Sequence, residues 1–262
     1  MIKILPQFSF KYVFWVASFI FVTGCATYNA ATGRHEFIMI PTSDEISMGK
    51  SLHEGIKKDK KLIENGPQIE RLRDIGERLA LVSDRQDIAH NFYLIEDNEL
   101  NAFTTPGGNV YFNTGLLNKL DSDDEVAFVL GHEIAHGAAR HTIKKLQAAL
   151  GANIISAVVL SQLEGKNTQQ TAAISSVVLM NVVFSAYSRK DEYESDRLGV
   201  KYMYLAGFDP QGAVGALQAL EEEAKKGPQM PVLFRSHPYT KDRVEAMKVE
   251  VLNVQAKYGN PS

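Results

Sequence analysis

The chain of 262 residues carries one cysteine, Cys25, so no disulfide can form within it. Positive charge is not in excess either: 28 Lys and Arg stand against 31 Asp and Glu, a net of −3 with His neutral. That balance provides no basic footprint for nucleic acid. Long apolar runs are scarce, and the N-terminal one, Tyr12 to Val22, is shorter than a membrane span requires. What remains is 45% hydrophobic and 23% charged, enough for one sizeable core and read most economically as one globular domain.

Against that background the stretch from Asp121 to His141, DSDDEVAFVLGHEIAHGAARH, stands out. Ser122 followed three residues later by Glu125 reads as a capping box, and Asp121, Asp123 and Asp124 suit the positive end of a helix dipole. Val126, Val129, Leu130 and Ile134 recur at helical spacing. On such a helix His132 and His136, four apart, project from one face and can bite one metal ion. Imidazole nitrogen is the usual zinc ligand, and Glu133 between them is placed to take a proton from water rather than to bind the metal.

A hydrolytic zinc site needs a third protein ligand and an open fourth position. The pattern H-E-x-x-H-x-x-G-x-x-H is excluded, because Ala139 and Thr142 stand where Gly and His are required. His141, five residues past His136, is turned away from the ligand face on a continuous helix and is expected near the helix end, where positive charge is favourable. The better candidates are downstream in SRKDEYESDRLG, where Glu192 and Asp196 are again four apart. A carboxylate can complete the metal shell while a second, one turn away, accepts the free N–H of a ligand histidine. Glu192 is the expected ligand and Asp196 the orienter. Glu194, about 160° round an ideal helix, is the runner-up ligand and otherwise a solvated or salt-bridged residue.

These pieces, with Ser236-His237-Pro238 and Arg243 beyond them, resemble the HtpX and type I CAAX prenyl endopeptidase family of zinc metallopeptidases, in its soluble bacterial lipoprotein branch. The resemblance covers the chain from about Pro41 to the C-terminal helix. It implies a mainly helical α+β, zincin-like fold with a small antiparallel sheet beside the metal helix. It also implies one zinc ion per chain, held by His132, His136 and Glu192, with Asp196 behind them. His237 is read as an oxyanion stabiliser or, as relatives imply, an occupant of the open zinc position in a resting state, with a plain surface histidine as the alternative. Arg243 is placed to pair with an acidic group near the site or to bind a substrate carbonyl.

The rest of the chain is organised around this centre. Residues 1–24, with Lys3 and Lys11 before the apolar run and Val22-Thr23-Gly24 at its end, have the layout of a secretory signal. Cys25 directly after them resembles a bacterial lipobox, which implies acylation at that cysteine and, with Ala26 next, outer-membrane sorting in a Gram-negative cell. Residues 25–40 read as a lipid-anchored tether and 41–262 as the peptidase domain. Helices are expected from Ser43 to about Leu62 and from Pro67 to about Val82.

Strand patterns follow around 91–95, 102–104 and 110–113, with Pro106 to Asn109 as a turn. In zinc peptidases of this type an edge strand holds the substrate backbone. Asn101-Ala102-Phe103 or Gly108-Asn109-Val110 are the candidate edges, an ordinary hairpin being the alternative. Two apolar segments within 145–187, joined by Glu164 to Gln170, carry too many polar residues for good spans. They read as a helical hairpin over the cleft, or touching the membrane surface, able to gate entry.

The function expected from all this is metalloendopeptidase action on polypeptide substrates: envelope or misfolded proteins in the periplasm, in protein quality control. The chain would be anchored to the outer membrane by its N-terminal lipid. A chaperone or outer-membrane assembly lipoprotein with a gated or vestigial zinc site is the competing class.

Overall fold

The computed structural model describes residues 26–151, 176–226, 231–238 and 241–259. The signal segment 1–24, Cys25, the middle of the expected hairpin (152–175) and the loop 227–230 lie outside the described residues.

The first described element is not a free tether. β1 (Ala26–Asn29) and β2 (Arg34–Phe37) form an antiparallel hairpin, turned at Gly33 with φ of 66°. The hairpin is bound to the domain. Asn29 donates to the Ala139 carbonyl, Lys144 pairs with Glu36 at 2.7 Å, and the Gln147 amide bridges Phe37 O and Met39 N. Polar residues that read as solvated linker therefore have partners 108–110 positions away.

Two helices then build a scaffold, α1 (Thr42–Asp59) and α2 (Pro67–Leu81), separated by the short strand β3 (Leu62–Ile63). Pro67 opens α2, where its missing N–H costs nothing. Ile69, Leu72, Ile75 and Leu79 face the core at the spacing the sequence shows. Each such buried side chain contributes roughly 1.5–3 kcal/mol.

β4 (Asn91–Ile95), β5 (Ala102–Thr105) and β6 (Asn109–Asn113) join β3 in a four-stranded sheet ordered β3-β4-β6-β5. This sheet is mixed, not wholly antiparallel. β5 and β6 form an antiparallel pair across a turn at Pro106–Gly108, where Gly107 and Gly108 adopt φ of 80° and 87°. β6 then inserts beside β4, which it can meet only in parallel. Side chains alternate between two cores: Phe92, Leu94, Ala102, Val110 and Phe112 join the main core, while Ile95, Phe103 and Tyr111 join a smaller one. The smaller core is closed by Leu52 and Ile56 of α1, by Leu146, and by Leu179, Val182 and Val183 of α5 (Ser176–Val183).

After α3 (Thr114–Lys119) comes α4 (Asp123–Ala138), the buried axis of the molecule. Ser122 caps it by accepting from Glu125 N–H, and every residue from Val126 to His136 is buried. A helix surrounded on all sides is apolar on all sides except where function requires otherwise. α6 (Arg189–Leu205), opened by a capping box of Ser188 and Asp191, crosses α4, and α7 (Gln211–Lys225), α8 (Leu233–Ser236) and α9 (Lys241–Tyr258) complete the shell. Val244, Met247, Val251 and Val254 bury the predicted stripe of α9. Among the described residues no helix is long and apolar enough to cross a membrane. The result is the mainly helical α+β, zincin-like architecture the sequence implies.

Candidate metal centre and active site

The site exists because α4 and α6 touch backbone to backbone. A Cβ on Gly131 would lie 2.9 Å from the Gly199 carbonyl oxygen, and one on Gly199 would lie 2.9 Å from the His132 nitrogen. Only glycine at both positions allows this approach. One and two turns before Gly199, it brings the buried Asp196 and Glu192 of α6 onto the histidines of α4.

His132 Nε2 and His136 Nε2 are 3.0 Å apart, and Glu192 lies 3.7 Å from the first and 3.5 Å from the second. His237, at the end of α8, joins them: its Nδ1 is 3.3 Å from His132 Nε2 and 3.1 Å from Glu192 Oε1. Ligand atoms of these four buried residues lie within 4.8 Å of one another. Glu133 faces the same space, 3.4 Å from His237 Nε2.

Behind the ligands are orienting groups. Asp196 Oδ1 accepts from His132 Nδ1 at 2.9 Å. Arg243 grips both Asp196 oxygens at 2.7 Å and pairs with Glu192 Oε2 at 2.6 Å. Its guanidinium is thus committed to the carboxylates and not free for a substrate carbonyl. Burial works to raise the Asp196 and Glu192 carboxyls, but the neighbouring cations outweigh it, and both are held below the usual range, Glu192 well below. Glu133, with less cationic company, is pushed up by burial. Burial drives His136 well below its ordinary value, toward the uncharged form a metal needs. His237 is raised despite burial, because Glu133 and Glu192 face it.

The donor set fits a divalent metal. Asp196 claims His132 Nδ1–H and His141 claims His136 Nδ1, so both Nε2 atoms turn bare lone pairs toward each other at 3.0 Å. Glu192 and Asp196 share the one Arg243 guanidinium, the third carboxylate, Glu133, faces His237 instead, and Glu133 Oε2 and His237 Nε2 make no hydrogen bond among the described residues. A cation resolves the repulsion and the charge imbalance together.

The substrate-edge candidates separate. β6 is hydrogen-bonded on both sides, so Asn109 and Val110 offer no edge, and Gly108 lies in the turn before them. β5 is the outer strand, and Asn101 immediately precedes it. The Asn101 carbonyl accepts from Asn113 N–H toward the sheet, so alternation turns the Ala102 and Thr104 backbone groups away from β6, on a strand that is buried throughout. The Thr104 amide meets the Glu133 carboxylate there. Phe103 points its ring away, into a stack with Tyr111 and an edge contact with Phe184.

Peptidase family M48 matches residues 68–251, a span that includes all of these side chains. The chain belongs to peptidase family M48. Its members are zinc metallopeptidases, and the four-residue group could bind such an ion. A beta-barrel assembly-enhancing protease of Escherichia coli is 24% identical over 211 residues, 76% of this chain and 42% of that protein. A mitochondrial metalloendopeptidase OMA1 of Schizosaccharomyces pombe is 28% identical over 69% of this chain and 52% of its own length, and its Arabidopsis thaliana counterpart 31% identical over 71% and 36%. The chain thus spans about half or less of the length of these curated relatives.

Three features escaped the sequence reading. Gly131 and Gly199 carry no chemical signal, and only their meeting gives them meaning. Tyr187 stacks on His136 at 3.8 Å between ring centroids, and its N–H donates to Ser236 O, tying the irregular segment before α6 to the end of α8 that bears His237. His141 does not sit on a continuation of α4. The helix stops at Ala138, Arg140 takes φ of 56°, and residues 141–151 start a new helix that turns the His141 ring back onto His136. The Gly137-Ala138-Ala139-Arg140 run contains no proline or asparagine to announce that break.

Proposed function

We propose that this chain is a metalloendopeptidase of the HtpX-like, lipoprotein branch of its family, acting on misfolded or unassembled envelope proteins at the periplasmic face of the outer membrane. The observation that carries the peptidase reading is the convergence of His132, His136 and Glu192 with Glu133 beside them and an outward strand edge within reach. A zinc ion held by His132, His136 and Glu192 would act as a Lewis acid, lowering the pKa of water and polarising the scissile carbonyl. Glu133, its Oε2 unpaired and its carboxyl raised by burial, takes the proton of the attacking water and passes it to the leaving amine. Thr104 N–H steadies that carboxylate, and the outer edge of β5 holds the substrate main chain in extended form. Asp196 and His141 hold the two ligand imidazoles in the tautomer that turns Nε2 inward.

His237 occupies the space a substrate carbonyl needs, and we read this arrangement as a resting state from which His237 must withdraw. The same observation favours a second reading, an assembly factor or chaperone with a gated zinc site. The localisation rests on the signal-like 1–24 segment and Cys25, and the envelope substrates on that localisation and on the names of the bacterial relatives.

Casein hydrolysis by the purified chain, compared with Glu133→Gln and with zinc measured on the same samples, tests the peptidase reading. Zinc near one per chain with cleavage in the wild type alone supports it. Zinc without cleavage, persisting in His237→Ala, shifts the function to the assembly role.

A further inference from the structure

The two ligand imidazoles are supported unequally. His132 leans on Asp196 and Arg243, both inside the core. His136 leans on a chain of groups that leaves the core and ends in the N-terminal hairpin. His136 Nδ1 is 3.0 Å from His141 Nδ1. His141, 1% exposed, has its Nε2 3.2 Å from Glu194 Oε2 and 3.5 Å from Asp191 Oδ1. The other Glu194 oxygen takes Arg34 Nη2 of β2 at 2.7 Å. Ser195 Oγ closes the set, 3.4 Å from His141 Nδ1.

The order of donors follows from these distances. Two carboxylates on one side of His141 require its proton on Nε2. Its Nδ1 is then a bare acceptor, which requires His136 to donate from Nδ1 and leaves His136 Nε2 free for a metal. A lone alanine in place of His141 would leave His136 Nδ1–H buried without a partner and the ring free to rotate. Glu194 would in turn lose its inner contact while keeping Arg34 of the hairpin.

We propose that His141 and Glu194 are positioning residues for the metal ligand His136, and that Arg34 makes the N-terminal hairpin a working part of the metal centre. The inference rests on the zinc reading of the site. It gives the hairpin, the first ordered structure after Cys25, a direct line of contact to the metal: Arg34, Glu194, His141, His136.

The test uses the full chain and metal binding rather than turnover. Zinc affinity is measured by competition with a chromophoric chelator, the visible d–d spectrum is recorded after cobalt replacement, and the metal-free melting temperature is taken as the control for folding. His141→Ala is expected to lose roughly 10- to 100-fold in zinc affinity and to shift the cobalt bands. His141→Asn, which retains an acceptor near the Nδ1 position, is expected to recover most of both. Arg34→Ala is expected to weaken zinc less than His141→Ala, in the same direction. Zinc affinity within about twofold of wild type in His141→Ala, with an unchanged cobalt spectrum, overturns the proposal. So does a loss that tracks the metal-free melting temperature and is not restored by His141→Asn, since that is packing alone. A wild-type chain that binds neither zinc nor cobalt overturns the zinc reading itself, and is told apart by the wild-type sample.

Discussion

Two clusters of charge lie side by side at the C-terminal half of α4, and they are built on different principles. At the C-terminal end, Glu45 receives Arg85 through both oxygens at 2.8 and 2.7 Å and Arg140 at 3.0 Å, while Arg85 also takes Asp87 and the Gly137 carbonyl. Two carboxylates meet two guanidiniums, and the atom left without a hydrogen bond is a donor, Arg140 Nε. At the metal centre two of three carboxylates meet the one guanidinium, and Glu133 Oε2 and His237 Nε2, which make no hydrogen bond, face the same space. The first cluster is closed and clamps α1 to the end of α4. The second is left incomplete in one chemical sense, short of positive charge, which is what a cation site requires. Burial and charge are common to both, so neither identifies function; the balance of donors against acceptors does.

The sharpest way to break this comparison is Glu133→Gln. It changes no ligand and no clamp, so zinc content should stay while casein cleavage falls by about 10²- to 10⁴-fold. A variant that retained cleavage would mean the unpaired oxygen has no role as a base. Next, Glu45→Ala takes the carboxylate from the buried Arg85 and the half-buried Arg140 and should cost about 3–5 kcal/mol in denaturant unfolding, with zinc affinity unchanged in the folded fraction. Glu192→Gln should do the converse, losing tight zinc while the Asp196–Arg243 pair keeps the fold. If Glu45→Ala weakened zinc as much as Glu192→Gln does, the two clusters would be one.

Chelation probes the same division. Removing zinc from the wild type should lower stability by about 3–4 kcal/mol when zinc stands some hundred- to thousandfold above its dissociation constant, and Glu192→Gln should show little of that response. Gly199→Ala should cost about 1–3 kcal/mol and loosen zinc as well, because the helix crossing that it forces apart sets the ligand distances.

The smallest effect concerns pH. Burial works against it, but the His141 bond and Arg34 hold the partly exposed Glu194 carboxyl down at about 2. A depressed carboxylate adds stability at pH above the unfolded value of about 4.5, and that stability is lost as pH falls toward 2. Acid unfolding curves of Glu194→Gln should therefore lie flatter than wild type across that window, by a modest margin given solvent screening. An identical slope would show that Glu194 gains nothing from its partners.

How much of this was legible beforehand varies with the range of the interaction. Much of the metal helix could be read: Ser122 accepts from Glu125 N–H as half of a capping box, although Glu125 Oε2 takes the Asp121 N–H rather than that of Ser122, and His132 and His136 lie together because helical spacing puts them there. The stripes of α2 and α9 were legible for the same reason. The strand segments were found, but not their order, because periodicity says nothing about which strand inserts between two others. That is why Val110 was a plausible edge on paper and lies inside the sheet. The hairpin at residues 26–37 read as a tether because its ties run to residues more than a hundred positions away.

The sequence by itself determined the chemistry: which residues are able to bind zinc, which carboxylate stands free to act as base, and that one core holds them. These are local properties, set by residue type and by a period of 3.6. Tertiary structure alone decided which histidine Asp196 orients, which of the readings of His237 holds, that β5 rather than β6 is the outer strand, and that His141 turns back to His136. Each of those depends on a contact between distant segments, the Gly131–Gly199 crossing above all, and a close approach of two backbones is encoded by the absence of side chains, which leaves no pattern along the chain to read.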